Sequence, residues 1–105
     1  MNSVRELLVN RLLQCTREQP MDRYREARRH GINERMIRKM VTDLRREGWR
    51  VCADSSGKGY WIAQNETDYI RFRKEYVSRA TEIFETVKAM DGSTEGQIGG
   101  LESYR

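Results

Sequence analysis

From Asn33 to Ala63 the apolar residues change their spacing once, at Gly48, and that change limits what the chain can fold into. Before it, Ile37, Met40, Val41 and Leu44 recur at i, i+3, i+4 and i+7, the stripe of an amphipathic helix. Asn33 is a suitable N-cap and Gly48 a suitable stop, so the spacing predicts a helix from Glu34 to about Glu47. After it, Trp49-Arg50-Val51-Cys52 and Tyr60-Trp61-Ile62-Ala63 flank a small polar run that ends in Gly57-Lys58-Gly59. That pattern predicts two strands joined by a glycine-rich tip.

The residues before Asn33 supply two more helices. Ser3-Val4-Arg5-Glu6 is a capping box, and Val4, Leu7, Leu8, Leu12 and Cys15 follow it at helical spacing. This first helix is expected from Val4 to Thr16 or Arg17, with Pro20 marking its end. Asp22 caps a second helix, Arg23 to His30, with Tyr24 and Ala27 facing the core and Gly31 at its stop. Ile32 is expected to pack inward. His30, beside that glycine, reads as a group set against the helix C-terminus. The expected fold class is mainly α with a small β-hairpin (α+β): a winged helix–turn–helix over residues 1–64, a long helix over 65–90 and a disordered tail over 91–105.

The third helix carries the chemistry. At about 100° per residue its outward face holds Arg35, Lys39, Thr42 and Arg46, with Arg38 and Arg45 at the flanks. The major groove of B-DNA admits one helix, which must present donors on one face and stay anchored by the other. Small residues at the hairpin tip, Ser55 and Ser56, permit close approach to a backbone, and Lys58 adds charge. The run Leu44-Arg45-Arg46-Glu47-Gly48-Trp49-Arg50-Val51, then Gly57-Lys58-Gly59-Tyr60, resembles the DNA-binding domain of biotin-operon repressors over about residues 3 to 64. It also looks like small phage and prophage proteins that join such a domain to a C-terminal helix. The resemblance implies that Arg35, Lys39 and Thr42 reach the groove and that Ser55, Ser56 and Lys58 sit in the wing. Arg45 either supports the wing or contacts a phosphate. The full set expected at DNA is Asn33, Arg35, Arg38, Lys39, Thr42, Arg45, Arg46, Ser55, Ser56 and Lys58, although Asn33 also reads as a cap. The biotin ligase domain has no counterpart in this sequence, so the resemblance implies no biotin chemistry. The second helix departs from the pattern by carrying Arg23, Arg25, Arg28 and Arg29, which suits either phosphate contact or a solvated face.

Charge distribution agrees. Before Asn65, 14 Lys and Arg stand against 8 Asp and Glu, a net of +6; from Asn65 onward 6 stand against 8, a net of −2. A basic first part suits a polyanion and an acidic second part does not. No apolar stretch approaches the roughly 18 to 20 residues of a membrane span, and the N-terminus lacks signal-peptide features, so a cytoplasmic protein is expected. Cys15 and Cys52 are expected as free, buried thiols. One histidine and no paired cysteines predict no metal and no cofactor. There is no triad, phosphate-binding loop or carboxylate pair in a catalytic setting, so an enzyme is not expected. Trp49 and Trp61 are expected to finish the core, and Asn65-Glu66-Thr67 is a sequon that a cytoplasmic protein would not use.

After Asn65, Ile70, Arg73, Val77, Ala80, Phe84 and Val87 alternate by three and four, widened by Tyr76, Ile83 and Met90. A helix of about 25 residues is ~37 Å long, more than one small domain covers. Homodimerisation through this seam is expected in preference to folding back, with Arg73 paired to a carboxylate across the interface. The functional expectation is double-stranded DNA binding by a dimer, as a phage or prophage transcriptional regulator or replication-associated protein. Two other readings belong to different classes: an interaction module that inhibits a host factor such as a nuclease, and a purely architectural dimeriser.

Overall fold

The computed structural model describes residues 3–92. Its elements are α1 (Val4–Gln14), β1 (Met21–Asp22), α2 (Arg23–His30), α3 (Glu34–Arg46), β2 (Val51–Ala53), β3 (Gly59–Ile62) and α4 (Glu66–Gly92). The fold is mainly helical with a small three-stranded antiparallel sheet, as the α+β expectation had it. The chain divides into two compact units, residues 1–72 and 73–105.

In the first unit, three helices and the sheet close on one core. Leu8 and Leu12 of α1, Ala27 of α2, and Ile37, Val41 and Leu44 of α3 meet Val51, Cys52 and Trp61 of the strands. Burying one such aliphatic side chain contributes about 1.5–3 kcal/mol. Ile32 is partly buried against the cluster, and both cysteines are free and buried. Three expected core residues lie elsewhere. Leu7, Tyr24 and Trp49 are all exposed, Tyr24 by 39%. Arg23 lies over the Tyr24 ring at 5.0 Å.

The caps act as their sequence implied. Ser3 accepts from the Glu6 amide, Asp22 from those of Tyr24 and Arg25, and Asn33 from that of Met36. Gly31 takes φ +67°, the left-handed conformation that lets α2 turn into α3. Helix α1 stops at Gln14, earlier than expected. Thr16 donates its amide to the Gln19 carbonyl at 3.1 Å, and Thr16 Oγ1 accepts from the Gln19 amide at 3.0 Å. That local turn competes with another helical turn.

The sheet contains a strand the sequence pattern did not reveal. Met21 pairs with Tyr60 and Asp22 with Gly59, giving the strand order β1-β3-β2. Two residues are too short a segment to show alternation. The hairpin itself has the expected form, with Val51 opposite Ile62 and Cys52 opposite Trp61. Pro20 packs so closely on Gly59 that a Cβ there would lie 2.8 Å from two of its carbons and 2.6 Å from Asp54 Oδ2.

The first unit extends past the expected border at Gln64. Asp68 Oδ2 accepts from Trp61 Nε1 at 2.9 Å and from the Gln64 amide at 3.3 Å, while Asn65 caps the helix by accepting from the Asp68 amide at 2.8 Å. One turn later Phe72 enters the core. In the second unit α4 continues through Asp91 to Gly92, and every residue from Arg73 to Gly92 is exposed. The tail expected over 91–105 therefore begins inside a helix, and its remainder, 93–105, lies outside the described residues.

Candidate nucleic-acid interface

Helix α3 is anchored by Ile37, Val41 and Leu44, so its opposite face looks outward. That face carries Arg35, Lys39, Thr42 and Arg46, all exposed, with Arg38 beside them. Two of the cations are matched along the helix. Arg38 Nε donates to Glu34 at 2.9 Å, and Lys39 Nζ donates to Asp43 at 3.1 Å. Both are i,i+4 pairs, a spacing legible in the sequence. Arg35 and Arg46 form no ion pair among the described residues. Thr42 Oγ1 donates back to the Arg38 carbonyl at 3.1 Å. Asn33 is occupied as a cap, its Oδ1 accepting from Met36.

Arg45 faces away from this surface. Its Nε donates to the Val51 carbonyl at 2.8 Å, and its guanidinium lies 5.3 Å from the Phe72 ring centroid. In this position Arg45 supports the hairpin. It ties the last turn of α3 to the first strand of the hairpin.

The hairpin tip is organised by a residue that the sequence marked only as one of four basic residues on α2. Arg23 Nη1 donates to the Gly57 carbonyl at 2.8 Å, and the Arg23 amide donates to the Lys58 carbonyl at 2.9 Å. The same guanidinium lies 3.3 Å from Glu34 at the start of α3. One side chain thus touches both the tip and the first turn of α3. Within the tip, Asp54 accepts from Ser56 Oγ at 2.7 Å and from the Gly59 amide at 3.4 Å. Burial pushes the Asp54 carboxyl up, but the Ser56 hydroxyl and the tip amides outweigh it and hold it below the usual range. Ser56 Oγ also accepts from the Lys58 amide. Ser55 and Lys58 are exposed, and Lys58 has no ion-pair partner among the described residues.

Helix α2 also carries a buried acid the sequence gave no reason to single out. Glu26 is 3% exposed and sits between His30 Nε2 at 3.0 Å, Arg11 at 3.5 Å and Arg29 at 3.6 Å. A buried carboxylate needs such partners. His30 of the basic α2 is thereby turned inward to Glu26, whereas Arg29 reaches it from an exposed position. Burial raises the Cys15 thiol, and it pushes Cys52 up to about 11. Thiols held protonated in this way are poor nucleophiles.

The residues expected at a dimer seam, Ile70, Arg73, Val77, Ala80, Phe84 and Val87, all lie on α4 and are all exposed. Ile70 belongs to the first unit and the other five to the second. No described helix is long and apolar enough to cross a membrane. Compared with family models, curated proteins and solved structures, the chain finds no match.

Proposed function

We propose that the first unit is a winged helix–turn–helix that binds double-stranded DNA, with α3 as recognition helix and the β2–β3 hairpin as wing. The observation that carries this reading is the Arg23 bridge, which fixes the wing tip beside the start of α3. A rigid pair of elements meets a duplex without first losing loop entropy. Arg35, Arg46 and Lys58 supply exposed cations without carboxylate partners among the described residues. The proposal includes a dimer joined through α4, so that two such units read two half-sites. It also places the protein in the cytoplasm, as a phage or prophage regulator or replication protein.

The test is fluorescence anisotropy of a random duplex across a salt series. Three neutralised phosphates predict that log K falls with log salt at a slope of about −2.7 or steeper. Substituting Arg35 and Arg46 together with alanine should flatten that slope by about 2, at roughly 0.9 per contact. Absence of binding at low salt overturns the reading. A nuclease-resistant protein partner recovered in that case would point to the interaction module instead.

A further inference from the structure

The exposed face of α4 has an internal order that selects one mode of pairing. Arg73, Val77, Ala80, Phe84, Val87 and Asp91 follow the 4-3-4-3-4 spacing of a coiled-coil seam. Its two ends are charged and opposite, and its middle is apolar. Phe84 is 65% exposed, and Ile83 beside the seam is 62% exposed. Nothing else among the described residues of the second unit covers them.

The occupant follows from charge and size. Residues 73–81 carry Arg73, Lys74 and Arg79 against Glu75, a net of +2. Residues 82–92 carry Lys88 against Glu82, Glu85 and Asp91, a net of −2. A parallel, in-register twin sets Arg73 on the partner's Arg73, the partner's Asp91 on Asp91, and large Phe84 on the partner's Phe84. Reversing one helix exchanges the two seam positions. About a two-fold axis at residue 82, Arg73 then meets the partner's Asp91, Val77 meets the partner's Val87, and small Ala80 meets the partner's Phe84. Every layer gains a complement, and the basic half of one helix lies along the acidic half of the other.

We propose that the occupant is a second copy of this chain and that the two α4 helices pair antiparallel in this register. The proposal rests on the dimer clause of the proposed function and is independent of DNA binding. It also answers the apparent flaw of an arginine in an apolar seam, since Arg73 marks the end of the pairing and fixes its direction.

Disulfide trapping tests it on the full-length chain. Val77→Cys and Val87→Cys variants are purified separately, equilibrated in a glutathione buffer alone and mixed, and run on a non-reducing gel. Light scattering reports oligomeric state in parallel. In the antiparallel register a residue at 77 is ten residues from its own copy, ~15 Å along the axis at 1.5 Å per residue. A disulfide needs Cα atoms within about 7 Å. The expected result is a covalent dimer only in the mixture, with wild type as a blank because Cys15 and Cys52 are buried. Covalent dimer from either variant alone overturns the proposal in favour of parallel pairing. A light-scattering dimer with no cross-link in any sample overturns it and leaves the dimer standing, whereas a monomeric wild type overturns both. As an independent reading, Arg73→Asp should weaken the wild-type dimer roughly tenfold and adding Asp91→Arg should restore it, about 1.4 kcal/mol each way. Failure of that rescue overturns the register.

Discussion

Arg23 holds the Gly57 carbonyl and Arg45 the Val51 carbonyl, each at 2.8 Å, so two cations of a basic domain secure the hairpin rather than face outward. Arg45→Ala should therefore lower stability by about 1.5–3 kcal/mol, the range for a hydrogen bond to a charged group, in urea unfolding. A phosphate contact alone would leave stability unchanged. Gly59→Ala belongs to the same region. Its Cβ would drive into Pro20 and Asp54, so a loss of about 1–3 kcal/mol is expected by the same assay. Asp22 is also held low, chiefly by the Arg25 amide, and Asp54 is low as well. A carboxylate with a depressed folded pKa contributes stability above its ordinary value of 3.8 and loses it as pH falls through the lower folded value. Urea midpoints should thus drop below about pH 4, and Asp54→Asn should flatten that drop. Caps were legible at this scale because Ser3, Asp22 and Asn33 act on amides within three residues. Arg23 was not, because the fold brings it the Gly57 carbonyl and Glu34, and Glu26 was not, because its burial and its contact with Arg11 come from packing rather than from its neighbours Arg29 and His30.

Helix α3 shows what an element adds to its residues. Of its outward cations, Arg38 and Lys39 are matched by Glu34 and Asp43, whereas Arg35 and Arg46 have no ion-pair partner among the described residues. Asp43→Asn, which leaves the Arg23–Glu34 contact in place, should raise affinity for random duplex and steepen its salt slope by up to about 1. Equal binding by wild type and variant would show that this carboxylate does not compete with phosphate. The periodicity of α3 was plain because it buries one face against the core, and the hairpin was plain because two apolar runs flank a glycine-rich tip. Strand β1 was invisible because its pairing partner, Tyr60, lies far along the chain. The early end of α1 was missed for the opposite reason, since the apolar stripe runs through Cys15 while the backbone has already turned at Thr16.

At the scale of the molecule, the border of the first unit lies at Phe72 rather than at Gln64. A chain cut after Phe72 should unfold cooperatively, whereas one cut after Gln64 loses Phe72 and the Asp68 bond to Trp61. Burial of Phe72 alone is worth about 1.5–3 kcal/mol, which calorimetry of the two truncations would resolve. That border was hidden because helical periodicity runs unbroken across it. The strand order β1-β3-β2 has one more consequence. The central strand is also the last to be made, so a nascent chain that has exposed α1, α2 and α3 still lacks the strand that joins Met21 to Val51. On the ribosome the sheet stays open until Ile62 has emerged, and the core stays incomplete until Phe72 has followed.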